Sequence, residues 1–306
     1  MSTELDPRAP STPSFAADAR RVARRDGHDT SGAAAPTGEP GQAGLARLRL
    51  GGRLALQPWP ALVLGAALLL LWQWYASRPE VDPLLLPAPT AVWTALVAQR
   101  GILWHHTLVT LGETAAGFAA ALAAGFVLGA AIDFSWWLRR ASYPLLVASQ
   151  TIPIIALAPL LVLWFGFGLT SKVIVVLLVC FFPITVALSD GLRSADPELL
   201  KLYRSFGAGR LRLFWSVRLP GALPALFSGI RIAITYSIIG AIFSEYVGAS
   251  DGLGYYIELK QHTFATAGVI AAIVVTALLS VALFLLTALV ERLALPWYYA
   301  AGRGEH

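Results

Sequence analysis

The stretch Ser189–Pro224, SDGLRSADPELLKLYRSFGAGRLRLFWSVRLPGALP, decides the fold. It lies between two apolar spans and holds six of the 23 Lys and Arg residues, in a chain of 306 residues that is only 13% charged. Its internal order is helical. Asp196 is placed to cap a helix, Pro197 takes the favoured first helical position, and Glu198 suits the positive helix end. Leu199, Leu200, Leu202, Tyr203 and Phe206 follow at helical spacing, and Gly207 can close the helix in a left-handed conformation. After Gly207-Ala208-Gly209 a second short helix is predicted from Arg210 to Val217. Leu219-Pro220 should end it, because proline lacks the amide donor and restricts the residue before it. The segment reads as a helix-turn-helix lying at a membrane surface.

The rest of the chain supplies that membrane. Hydrophobic residues make up 57% of it and mean hydropathy is +0.65, well above a soluble domain. Six segments can cross a hydrocarbon core of roughly 30 Å: Pro60–Ala76, Leu108–Ile132, Tyr143–Phe165, Val173–Ser189, Ala225–Val247 and Gly268–Leu289. The expected fold class is an all-α polytopic membrane protein of six transmembrane helices, with the charged helix-turn-helix between spans four and five.

Charge then orients the chain. With the N-terminus inside, 18 Lys and Arg fall on the cytoplasmic side and four (Arg78, Arg100, Lys172, Lys260) outside, with Arg231 in a span. That bias follows the positive-inside rule and places the Gly207 loop in the cytoplasm. The net charge of +5 therefore reflects topology and attraction to anionic lipid heads rather than nucleic acid. Residues 1–57, rich in Ala, Pro, Gly, Ser and Arg, read as a disordered basic cytoplasmic tail. Residues 58–297 form the six-span domain with its loop at 190–222, and 298–306 a second cytoplasmic tail. The first apolar segment begins too far in for a secretory signal. Cys180 is the lone cysteine and sits in a span, so neither an intrachain disulfide nor a thiolate metal site is expected.

The spacing from Gly207 through nine residues to Val217, then Leu219-Pro220, resembles the cytoplasmic signature of ABC importer permeases. The Glu-Ala-Ala that opens that signature is replaced by Lys201-Leu202-Tyr203. The resemblance extends over about residues 85–297. It includes Gln150 to Leu160, Leu163 to Gly168, Phe182-Pro183, Glu245 to Ser250, Gly252 to Tyr255, Glu291-Arg292 and Pro296-Trp297, and looks like the nitrate, sulfonate, taurine and thiamine-pyrimidine-precursor branch. It implies a bacterial inner-membrane protein that forms a homodimer, works with two ATPase subunits and an extracytoplasmic substrate-binding protein, and imports by alternating access. It also implies that Glu198, Lys201, Tyr203, Phe206, Gly207, Ala208, Arg210, Val217, Leu219 and Pro220 couple to the ATPase. ATP and Mg would sit on that partner, with no cofactor or metal on this chain. The lysines agree: Lys172, Lys201 and Lys260 follow Ser, Leu and Leu, whereas a phosphate-binding loop needs Gly-Lys.

Helix breakers and buried charges mark the remaining candidates. Pro153 and Pro159 inside the third span fit either a translocation pathway or a plain kink. Gln150 and Thr151 beside them can hydrogen-bond a small polar substrate, and Glu245 can line an outer gate or sit at the interface. Gly117, Gly125 and Gly129 share one helix face and suit close packing. Glu113 is free to pair with His105, His106 or another helix, and Arg231 is placed to snorkel to the cytoplasmic interface. Adjacent His105 and His106 do not converge on one metal ion. The loop Gly248–Ala267, with Tyr255, Tyr256 and Phe264, suits docking of the binding protein or an aromatic belt. An ion-gradient-driven secondary transporter is the alternative reading; it would favour paired acids at mid-membrane and inverted repeats, neither of which is apparent.

Overall fold

The computed structural model describes residues 59–301, so the expected tail over residues 1–57 lies outside them, as do residues 302–306. The chain divides into units Met1–Leu62 and Val63–His306; the packing below is that of the second. No strand occurs among the described residues. Twelve helices follow in order: α1 Trp59–Ala76, α2 Pro89–Ala98, α3 Arg100–Phe134, α4 Trp136–Thr151, α5 Ile154–Phe165, α6 Leu169–Arg193, α7 Pro197–Ser205, α8 Arg210–Leu213, α9 Leu219–Tyr246, α10 Leu253–His262, α11 Thr266–Ala294 and α12 Pro296–Ala301. A π-helical turn, Phe214–Arg218, joins α8 to α9.

Packing centres on α6. Val176, Cys180, Ile184, Leu188 and Leu192 recur every four residues along it and are 0–1% exposed, meeting Ala121 of α3 and Ala222, Leu226, Ala233 and Ala241 of α9. Small residues on the flanking helices admit this close approach. Gly117, Gly125 and Gly129 all face α6; a Cβ at Gly117 would stand 2.5 Å from Val176 Cβ. Outward faces are apolar: Leu62 to Leu71 on α1 and Leu278 to Leu293 on α11 include many large side chains more than half exposed. A soluble protein would hide such surface; a bilayer covers it.

Among the described residues five helices are long and apolar enough to cross a membrane. The third expected span is not one helix. It is α4 followed by α5, bent by 96° at the break between them. Ile152, the residue before a proline, is extended (φ −80°, ψ 120°), and Pro153 caps α5. The ring of Pro153 excludes helical backbone at Ile152, so the break falls there. Pro159 and Pro144, by contrast, remain inside their helices.

A second correction concerns Pro220. It does not stop a helix; it lies in the first turn of α9, and the chain runs helically from Arg210 to Tyr246. The π turn makes this possible. Leu219 N–H bonds the carbonyl of Phe214, five residues back, so the ladder has already shifted register where the proline would clash. The terminal tail expected from residue 298 begins within α12.

Candidate functional site: a braced loop and a buried carboxylate latch

Two polar constructions stand at opposite ends of the bundle. At the first, the expected helix-turn-helix forms as α7 and α8. The Asp196 carboxylate accepts from the Glu198 N–H at 2.8 Å. Gly207 adopts φ +76°, and the N–H groups of Gly207 and Ala208 bond the carbonyls of Arg204 and Tyr203 at 2.9 and 3.0 Å. This closes α7 with a left-handed C-terminal turn.

The loop is braced from behind. Leu213 and Phe214 are 4% and 3% exposed, and Phe214 lies among the α6 and α9 core residues with its ring 5.1 Å from that of Phe134. Arg218 donates through Nη1 to both Asp133 oxygens, at 2.7 and 2.6 Å, and Arg139 stands 3.9 Å from the same carboxylate. On its outer side the loop presents Leu199, Leu202, Phe206, Leu211 and Trp215; Phe206 is 79% exposed. Among the residues singled out in the sequence, Glu198, Lys201, Phe206, Gly207 and Arg210 are exposed on this loop, Tyr203 and Ala208 are half-buried, and Val217, Leu219 and Pro220 sit half-buried where the π turn enters α9. Of the bracing residues, Phe214 and Arg218 lie in the charged loop read from the sequence, whereas Asp133, at the end of α3, was not singled out.

At the far end, Glu245 is 0% exposed. Its carboxylate accepts from the Thr110 hydroxyl at 2.7 Å and the Gly254 N–H at 2.6 Å, and lies against Glu113. The Thr110 oxygen in turn accepts from the Leu253 N–H at 2.8 Å, and His106 Nδ1 from the Gly252 N–H at 3.0 Å. Gly252 is required here. Its φ is +113°, and a Cβ would fall 2.2 Å from Glu245 Cδ. Glu113 pairs with Lys172, which is buried in the first turn of α6. Two acids thus meet inside the bundle, where the sequence showed none paired. His105 contacts Asp251 at 3.2 Å, and among the described residues no cluster suits a metal ion.

Gln150, Thr151, Pro153 and Pro159 lie exposed around the α4–α5 break, apart from the buried Glu245. Arg231 pairs with a second helix: its Nε is 3.2 Å from Glu291 Oε2, and Tyr299 donates to Glu291 at 2.9 Å. In the 248–267 loop, Tyr256 is core, 1% exposed, and its hydroxyl donates to Gln99. Burial raises its phenol above the ordinary range, which keeps it a donor. Phe264 is 72% exposed.

An all-α bundle with apolar outward faces and a polar loop tied to its core is the architecture of a multi-pass membrane protein. The chain belongs to the family of binding-protein-dependent transport system inner membrane components, whose model matches residues 121–295. It is 38% identical to the formylaminopyrimidine transport permease protein ThiX of Halalkalibacterium halodurans, over 75% of this chain and 92% of that one. It is 39% identical to the riboflavin transport system permease protein RibX of Chloroflexus aurantiacus, over 78% and 91%. With the taurine transport system permease protein TauC of Escherichia coli the identity is 31%, over 76% and 87%. A chain of the inward-facing MetNI methionine ABC transporter shares the fold, with a TM-score of 0.57 at 18% identity over 64% of this chain and 97% of that one. The chain is therefore an ABC importer permease, a transport subunit of the inner membrane.

Proposed function

We propose that this permease imports a small polar or anionic nutrient, with a pyrimidine or flavin precursor as the first class to test and sulfonates or nitrate as the second. The braced loop faces the cytoplasm and docks an ATPase that holds ATP and Mg. A second copy of the chain completes the pathway, and a substrate-binding protein delivers the nutrient at the latch end, with both termini on the cytoplasmic side.

The observation that carries the coupling role is the two-sidedness of the loop. Phe214 and the Arg218–Asp133 pair tie it to α3, α6 and α9, while Leu199, Leu202, Phe206, Leu211 and Trp215 are offered outward. A push on the exposed face is transmitted to the bundle instead of being absorbed by a soft loop, because packed cores move as units. The substrate class rests on the similarity to ThiX and RibX, whose names give formylaminopyrimidine and riboflavin. Alternating access then moves the nutrient inward.

The test is uptake into sealed vesicles holding this chain with its ATPase and binding protein, using pyrimidines, flavins, sulfonates and nitrate. Uptake of one class that stops without ATP is expected. Uptake that survives removal of the ATPase and collapses with the proton gradient would instead favour an ion-driven transporter.

A further inference from the structure

Between the loop and the α3–α4 junction lies a cavity of about 400 Å³. Four arginines line it (Arg139 of α4, Arg204 of α7, Arg210 of α8 and Arg218 of the π turn) against one acid, Asp133. That acid is already engaged: Arg218 holds both its oxygens and Arg139 is 3.9 Å away. Among the described residues, Arg204 and Arg210 have no carboxylate within ion-pair distance, and Arg139 Nε is buried with no hydrogen-bond partner. A cavity with this excess of guanidinium donors calls for an anion with several oxygens.

Its surroundings indicate which one. Trp136 and Arg139 also line a neighbouring hollow of about 450 Å³, completed by Arg140, Tyr143, Pro144 and Arg193. Trp136, Trp137 and Tyr143 are half or more exposed on α4, as aromatic side chains are at a bilayer interface. An anion site thus opens onto a hollow floored by rings and arginine stems, which suits the glycerol and upper acyl carbons of a lipid.

We propose that the arginine cavity binds the phosphate group of an anionic phospholipid from the leaflet at the braced-loop end of the bundle. The bound phosphate joins α4 to α7 and α8 through Arg139, Arg204 and Arg210. The inference needs only that the chain is embedded in a membrane and does not depend on the substrate or on ATPase docking.

The full-length chain is purified in mild detergent, incorporated into nanodiscs of phosphatidylcholine with phosphatidylglycerol, and re-extracted. Retained lipid is then counted by native mass spectrometry. Arg204→Gln/Arg210→Gln is compared with Lys201→Gln/Arg212→Gln, which removes the same charge from the same loop outside the cavity. Arg218, Asp133 and Phe214 are untouched in both, so the loop stays braced. The expected result is a roughly tenfold or greater loss of retained phosphatidylglycerol in the first variant only.

Inorganic phosphate added as competitor separates the sources. Displacement of the lipid by bound phosphate would assign the same site to the free ion, whereas no displacement assigns it to the lipid. Equal losses in both variants would reduce the effect to diffuse surface attraction, and no loss in either would remove the site; each overturns the proposal. So would a cavity variant that keeps its lipid but no longer co-purifies with the ATPase, since an acidic protein segment would then be the occupant.

Discussion

The carboxylate of Glu245, at the end of α9, accepts the hydroxyl proton of Thr110 on α3 at 2.7 Å and, through its other oxygen, the N–H of Gly254 at 2.6 Å. One buried acid therefore pins the 247–254 connection to two helices. Glu245→Ala leaves two buried donors, the Thr110 hydroxyl and the Gly254 N–H, unsatisfied, and each stranded donor costs about 1–3 kcal/mol. Hydrogen exchange of residues 247–256 in nanodiscs should accelerate at least about tenfold, with the α6 core unchanged. Unchanged exchange at 247–256 would show that the latch holds nothing.

Gly252→Ala should act on the same connection by a different route. The new Cβ meets the Glu245 carboxyl at 2.2 Å and the backbone stays at φ +113°. Gly209→Ala, with open space around it and ordinary φ, serves as the control. Thermal unfolding in detergent should fall clearly for the first and stay within experimental scatter for the second. Equal midpoints would contradict the account.

The Glu113–Lys172 pair predicts a reversal. Lys172→Met strands a buried carboxylate, one oxygen of which already lacks a donor, at a cost of about 3–5 kcal/mol. Adding Glu113→Gln to Lys172→Met removes the stranded charge and should restore most of the stability. A double variant no more stable than the single would exclude charge burial as the cause.

At the other end, Phe214→Ala opens a cavity beneath the braced loop and should cost about 3–5 kcal/mol. Arg218→Met should cost less in stability, because the pair is partly exposed, but should loosen the loop. In both variants ATP hydrolysis by the assembled transporter should persist while substrate uptake falls. Parallel loss of hydrolysis and uptake would mean the brace is needed for docking rather than for transmission.

On the outward face, Leu202→Ala/Phe206→Ala should reduce co-purification of the ATPase more than Lys201→Ala does, because the exposed area offered there is mainly apolar. Gly207→Val, at φ +76° with no neighbour within 4 Å, should leave membrane insertion intact and abolish co-purification. Retained ATPase in the Gly207 variant would remove the loop turn from the interface.

Much of this was legible along the chain. Apolar runs near or above the length needed to cross a bilayer core located the spans, and Asp196-Pro197 with Gly207 set both ends of α7, because caps and left-handed turns depend on residues a few positions apart. The start of α8 at Arg210 was legible for the same reason. The α4–α5 break was half legible: Pro153 marked the place, but a proline alone does not say whether a helix kinks or turns by 96°. Pro220 shows the opposite failure. The local rule for proline predicted a stop, and a π turn five residues long absorbed it.

What the sequence by itself determined is the class: a helical membrane protein, the position of its charged loop, and the motif spacing that ties it to importer permeases. Hydrophobicity, caps and spacing act over short stretches, so one dimension suffices to read them. Only the tertiary structure decided which charges meet. Glu245 finds Thr110 across 135 positions, Arg218 finds Asp133 across 85, Arg231 finds Glu291 across 60, and Arg139, Arg204 and Arg210 converge from three helices on one cavity. Such pairings depend on helix rotation and register, which are set by how small residues such as Gly117 and Gly125 let the α6 side chains approach. A buried charge selects whatever partner that packing brings within reach, and no local pattern encodes the choice.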